Sequence, residues 1–136
     1  MIILDRLFLD ANVLFSASYR INSPLRQLWL LAGKDVVTLV TSMYAVAEVQ
    51  RNIQAEAQLE RLEKLLSQVE VRTLPPSTMM PAELPELPEK DRPILLAAIA
   101  AKATHLITSD FTHFGPLYGK TVEGVLILPP TSYLQR

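Results

Sequence analysis

The sequence predicts an α/β domain built around a mainly parallel sheet. Short apolar runs alternate with longer stretches of helical periodicity, which is typical of parallel strands joined by helices. The run at 36–40 is largely β-branched and uninterrupted, as expected of a strand buried on both faces. A chain of 136 residues without an internal repeat has the length of one domain, so we expect a single domain over 1–136.

Five strands and three helices are predicted along the chain. The strands are 7–9, 36–40, 71–74, 105–108 and 125–128, and the helices are 24–32, 42–68 and 91–102. Asn22 or Ser23 can cap the first helix, Pro24 suits its first turn, and Gly33 is a good stop. The segment 75–88 holds five of the ten prolines, which predicts an extended surface loop.

The composition excludes several kinds of site. Without cysteine there can be no disulfide, thiolate-bound zinc, iron–sulfur cluster or thiol nucleophile. The only histidines are His105 and His113, too few for a histidine-rich metal site. A metal would therefore be held mainly by oxygen, which indicates Mg²⁺, Mn²⁺ or Ca²⁺.

Charge and hydropathy bear on location and on partners. The apolar runs, such as 94–101, are shorter than the roughly 20 residues of a membrane span, and no signal peptide is expected. With the absence of cysteine, this leads us to expect a cytoplasmic protein without membrane contact. The net charge of −1 counts against tight non-specific binding of nucleic acid. It counts less against an enzyme whose metal ions neutralise a phosphate locally.

Acidic residues stand where the predicted strands end or the following helices begin. They are Asp10, Glu48, Asp91 and Asp110. In parallel α/β sheets ligands bind at the carboxyl ends of the strands, so all four can point toward one edge of the sheet. Crowded carboxylates repel one another, and a hard divalent cation relieves that conflict. Such an ion can activate water and stabilise charge on a phosphoryl group, which favours phosphodiester hydrolysis over acyl transfer.

Each acid also has a simpler interpretation when it is taken alone. Asp10 and Asp110 can be turn residues, Glu48 a solvated helix residue, and Asp91 the N-cap of its helix, a role compatible with metal binding. The hypothesis of a shared site therefore depends on the order and the settings of the four acids.

That order resembles the PIN-domain nucleases, including the VapC-like toxin ribonucleases. Phe8-Leu-Asp-Ala-Asn12 and Ala47-Glu-Val49 are similar to the first two motifs of the family, and the stretch from Asp91 and Leu106-Ile-Thr-Ser-Asp110 to the third and fourth. The resemblance covers nearly the whole chain. No single motif is highly specific, whereas the set of four in sequence is.

The resemblance implies a three-layer α/β/α fold and a single-strand-specific endoribonuclease that depends on Mg²⁺ or Mn²⁺. It assigns catalysis and metal binding to the four acids and makes Asn12 and Thr108 supporting candidates beside them. The simpler interpretations are an Asx-turn for Asn12 and a strand hydroxyl for Thr108. The resemblance also implies a homodimer and a toxin paired with an antitoxin protein.

Other polar and aromatic residues have two interpretations each. Arg51, Lys90, Arg92 and Lys102 can contact phosphates or be solvated charges. His113 can assist substrate binding, although a capping or packing role is favoured. Trp29 and Tyr44 are interpreted as core or dimer contacts rather than base-stacking platforms.

Rival functions remain open at this stage. One is a catalytically silent PIN-fold module that binds RNA or a protein partner. Another is a phosphatase of the haloacid dehalogenase type, disfavoured because Asn12 stands where a second aspartate is needed. A receiver-like signalling domain is disfavoured because no second acid adjoins Asp10.

Overall fold

A six-stranded sheet lies at the centre of the computed structural model, which describes residues 4–73 and 86–135. The strands are β1 (Asp5–Leu9), β2 (Val37–Ser42), β3 (Glu70–Arg72), β4 (His105–Ile107), β5 (Thr121–Val122) and β6 (Val125–Leu128). Their order is β3-β2-β1-β4-β6-β5, and every pairing is parallel except the β5–β6 hairpin. The prediction of an α/β fold with a mainly parallel sheet is confirmed.

Helices flank the sheet and complete the three-layer arrangement. They are α1 (Ala11–Tyr19), α2 (Gln27–Gly33), α3 (Met43–Asn52), α4 (Glu56–Leu66), α5 (Arg92–Ala100), α6 (Phe111–Phe114) and α7 (Pro130–Leu134). Short 3₁₀ turns cover Pro24–Arg26, Glu89–Asp91 and Gly115–Leu117. As predicted, the Ser23 hydroxyl caps the turn before α2 by accepting from the Leu25 amide at 3.4 Å, and α2 ends at Gly33.

The prediction of one helix over 42–68 is wrong, because the chain forms α3 and α4 with a break between them. Ile53 and Ala55 both adopt extended backbone, so the helix stops and starts again. The apolar stripe explains the break. In one straight helix, the six-residue step from Ile53 to Leu59 would turn the chain by about 600°, so the apolar faces of the two halves would point in directions roughly 120° apart. The break lets each half bury its own apolar face, and α1 packs against both.

Burial is deepest along β1, the strand that lies between β2 and β4. Its residues Leu7, Phe8 and Leu9 are fully buried. In the register of β1 with β4, Leu9 pairs with Ile107, and the amide of Asp10 donates to the Ile107 carbonyl at 3.1 Å. The parallel pairing therefore brings the residues that follow β1 and β4 to the same edge of the sheet.

Trp29 is a core residue, as interpreted from the sequence. It is 5% exposed, and its indole N–H donates to the Leu65 carbonyl at 3.0 Å, which joins α2 to the last turn of α4. Most of the predicted loop at 75–88 lies outside the described residues. No helix in the described ranges is long and apolar enough to cross a membrane.

Candidate metal and phosphodiester site

Asp10 is a buried carboxylate at the carboxyl end of β1, only 3% exposed. Its Oδ1 accepts a hydrogen bond from the Ala11 amide at 2.7 Å, and its Oδ2 accepts from the Thr108 hydroxyl at 2.8 Å. The Asn12 amide nitrogen also donates to Oδ2, at 3.2 Å. The side chain is therefore fixed in one orientation at the edge of the sheet.

The ionised form of Asp10 is disfavoured in spite of these donors. Burial raises the pKa of this carboxyl from 3.8 to about 6. The hydrogen bonds from Thr108 and Ala11 act in the opposite direction, and the charges of Glu48 and Asp91 raise the pKa further. Asp10 therefore lies within the electrostatic reach of two of the other acids.

Thr108 links Asp10 to Asp110. Its hydroxyl donates to Asp10 Oδ2, and its oxygen accepts from the backbone amide of Asp110 at 3.1 Å. It is fully buried, so both hydrogen bonds are shielded from water. The hydroxyl thus fixes the ends of the neighbouring strands β1 and β4 relative to each other, which a solvated hydroxyl would not do.

Asn12 forms a second bridge between the same segments. Its Oδ1 accepts from the Ser109 amide at 2.8 Å while its amide group donates to Asp10. The partner Ser109 is distant in sequence, so this contact is not the Asx-turn weighed as the simpler interpretation. Asn12 and Thr108 both touch Asp10.

Asp91, Asp110 and His113 form the tightest group of metal-ligand atoms among the described residues, all within 4.8 Å of one another. The His113 Nδ1 atom lies 2.9 Å from Asp110 Oδ2 and 3.0 Å from Asp91 Oδ2. One N–H can point at only one of these oxygens, and its hydrogen bond is with Asp110. Within the described residues, Asp91 Oδ2 is buried without a hydrogen-bond partner.

The side chain of Asp91 does not cap its own helix, although the residue stands at the N-cap of α5. The carboxylate instead faces His113. Burial raises the pKa of Asp91, the charges of His113 and Lys90 act against this, and the charge of Asp110 acts with it. Asp110, in contrast, does cap the short α6 by accepting from the His113 amide at 3.1 Å.

Glu48 lies apart from this tight group. It is half-buried on α3 and lines an open cavity of about 430 Å³ with Asn12 and Phe15. Its charge raises the pKa of Asp10, and burial together with Glu48 raises the pKa of Tyr44. The structure thus places Glu48 near the other acids electrostatically rather than by direct contact.

The basic residues considered as phosphate contacts differ in their distance from the acids. The Lys90 charge lowers the pKa of Asp91, and the Arg51 charge lowers that of Tyr44, so both lie near the acids. Lys102 follows the far end of α5, a nine-residue helix about 13 Å long that begins beside Asp91. Lys102 is therefore too distant to contact a phosphate at the acids.

Sequence patterns gave little weight to two residues that the structure places here. His113 lies between Asp91 and Asp110, whereas the sequence favours a capping or packing role for it. Tyr118 donates its hydroxyl to the Thr108 carbonyl at 2.7 Å. Burial raises the pKa of Tyr118, as do the charges of Asp110 and Asp10. The sequence signal that could have indicated them is their closeness to Asp110: His113 follows it by three residues and Tyr118 by eight.

The fold and the acidic edge define a three-layer α/β protein with carboxylates gathered at the carboxyl end of its parallel sheet. The family model described as PIN domain matches residues 6–112, and the chain therefore belongs to the PIN domain family. A sequence comparison with proteins of curated function finds no match.

A solved structure shares the fold. It is the crystal structure of VapBC2 from Rickettsia felis bound to a DNA fragment from their promoter. The two superpose with a TM-score of 0.65 at 20% identity, covering 91% of this chain and 98% of that one. At 20% identity this similarity is evidence for a shared fold alone.

Proposed function

We propose that this protein is a metal-dependent endoribonuclease that hydrolyses phosphodiester bonds in single-stranded RNA. Its catalytic and metal-binding acids are Asp10, Glu48, Asp91 and Asp110. The observation that carries the proposal is the convergence of Asp91, Asp110 and His113, whose possible metal-ligand atoms all lie within 4.8 Å of one another. Carboxylates held this close together repel one another, and a hard divalent cation relieves that conflict.

The residues present fit Mg²⁺ or Mn²⁺. The acids supply only oxygen donors, which such ions prefer. Burial, with a smaller contribution from the charges of Glu48 and Asp91, raises the pKa of Asp10 in the absence of a cation. When bound, the ion supplies an activated water and stabilises charge on the phosphoryl group. Asp10, Asp91 and Asp110 would hold it, and we assign Glu48 to the same site because its charge raises the pKa of Asp10.

The other polar residues orient these acids. Thr108 and Asn12 fix the carboxylate of Asp10 by hydrogen bonds to Oδ2. His113 keeps the carboxylates of Asp91 and Asp110 close together in the metal-free protein. Such supporting contacts reduce the rearrangement needed when an ion and a phosphate bind.

The proposal extends to the biological role of the protein. The structural relative is a VapBC2 assembly on promoter DNA. We propose that this chain, as a single domain over 1–136, is a cytoplasmic toxin that forms a homodimer and is inhibited by an antitoxin protein. Growth arrest on induction, relieved by co-expression of a small DNA-binding protein encoded beside it, would support this role. Induction without any effect on growth would contradict it.

Cleavage of labelled single-stranded RNA tests the activity. We expect cutting with Mn²⁺ or Mg²⁺ and none with EDTA, and the purified Asp10→Asn variant serves as the control for contaminating nucleases. Equal cutting by this variant would assign the activity to a contaminant. A folded protein that binds RNA but cuts no substrate would instead indicate the catalytically silent module.

Metal affinity should depend on pH through Asp10. Its pKa of about 6 means that the carboxyl is mostly ionised at pH 7 and mostly protonated at pH 5, where a cation must displace the proton. We expect the dissociation constant for Mn²⁺ to rise about tenfold between pH 7 and pH 5. Calorimetric titration at the two pH values checks this, and an unchanged affinity would show that Asp10 is not a ligand.

A further inference from the structure

Phe111 is an aromatic residue that the sequence did not single out and that lies directly after Asp110. It opens α6, and 76% of its surface is exposed. Isolated exposed hydrophobic residues are ordinary on protein surfaces. Phe111 differs because its neighbour in sequence, Asp110, is one of the four acids of the proposed site.

The ring is held in place rather than left free. It lies against Tyr118, with 6.4 Å between ring centroids and 53° between ring planes. Gly115 lies beneath it, and a Cβ at that position would approach the ring carbon Cδ2 of Phe111 to 3.1 Å. Tyr118 is itself anchored to the Thr108 carbonyl. The exposed ring is therefore connected to the acids through a short chain of contacts.

Polar residues flank the ring. Ser109 and Thr112, on either side of the Asp110–Phe111 pair, are exposed, and Asp110 is an acidic residue. A protein partner would be expected to bury a wider apolar surface than one ring provides. A single planar ring beside a phosphate site fits a nucleobase, because bases stack on aromatic side chains and this stacking tolerates any sequence.

We propose that Phe111 is a stacking platform for the base of a nucleotide next to the phosphate held by the acids. The proposal rests on the proposed function for the position of the phosphate, and it adds a base subsite to that site. It predicts recognition of unpaired rather than paired strands, because a base must leave its helix to stack on a side chain.

Kinetics with substitutions at this position test the subsite. Phe111→Ala should raise the KM for single-stranded RNA about tenfold to hundredfold, and Phe111→Trp should retain wild-type KM. Ile21→Ala is the matched control, since Ile21 is also 76% exposed but lies beyond the far end of α1. An unchanged KM in Phe111→Ala, or an equal rise in Ile21→Ala, would overturn the proposal.

Fluorescence separates the subsite from catalysis. The chain's one tryptophan is the buried Trp29, so the indole in Phe111→Trp would be an exposed reporter. An oligouridylate should quench it, and an abasic oligomer of the same length should not. Quenching without any cleavage would retain the base subsite and reject the nuclease, whereas cleavage without quenching would reject the subsite alone. Equal quenching by the abasic oligomer would also reject the subsite.

Discussion

Replacing Asp10 with asparagine should abolish RNA cleavage while making the metal-free protein more stable. The loss of activity should be about a thousandfold or more, because a metal-bound acid contributes several kcal/mol to the transition state. The stability gain follows from burial, which raises the pKa of Asp10 to about 6. The folded state thus favours the protonated carboxyl, and that stability is lost as the pH rises from about 4 through 6.

The size of the gain follows from the same shift. Moving the pKa from 3.8 to about 6 corresponds to about 3 kcal/mol of destabilisation at pH 7. Asparagine carries no charge but matches the donors from Ala11, Thr108 and Asn12 less well, so we expect a net gain of about 1–3 kcal/mol. Urea denaturation in EDTA at pH 7 measures it, and the difference should shrink below pH 4.

The control for charge removal is Asp35→Asn. Asp35 is exposed and has a φ of 58°, a conformation that asparagine tolerates well. This variant should leave both cleavage and stability nearly unchanged. An Asp10→Asn protein that cleaves RNA normally, or that is less stable than wild type in EDTA at pH 7, would contradict this account of the carboxylate.

Thr108→Val should lower both the stability of the protein and its affinity for metal. Valine has the same shape but no hydroxyl, so Asp10 Oδ2 loses a donor and the Asp110 amide loses its acceptor. We expect a loss of about 1–3 kcal/mol in the free energy of unfolding. Because supporting contacts position metal ligands, metal affinity should fall about tenfold to hundredfold.

Thr108→Ser is the matched control, since it keeps the hydroxyl and removes only a methyl group. It should lose some packing energy but retain metal affinity and cleavage. If serine and valine reduce metal affinity equally, the hydroxyl does not position Asp10. Thermal denaturation with and without Mn²⁺, together with calorimetric titration, distinguishes these results.

Strands β1, β2, β4 and β6 were predictable because each contains a short apolar run that ends abruptly, whereas the two-residue β5 was not predicted. The predicted strand at 36–40 corresponds to β2 at Val37–Ser42, and 125–128 matches β6. α1 was not predicted, because residues 11–19 mix apolar and polar side chains without a clear stripe. The α3–α4 break has no proline or glycine to mark it, and only the change in phase of the apolar stripe reveals it.

The candidate site was partly predictable for the same reason. Asp10 and Asp110 follow strands, so parallel pairing places them at one edge. The contacts of His113 could not be predicted, because they depend on how the short α6 packs near Asp91. The exposure of Phe111 could not be predicted either, since phenylalanine is among the residues most often buried.

Binding of Mn²⁺ to the full chain tests the central claim most directly. The free ion would be followed by its paramagnetic resonance signal as protein is added, for wild type, Asp91→Asn and the surface control Asp35→Asn. We expect wild type and Asp35→Asn to remove Mn²⁺ from solution and Asp91→Asn to bind it far more weakly. Equal binding by all three proteins, or no binding by folded wild type, would contradict a metal centre at these acids.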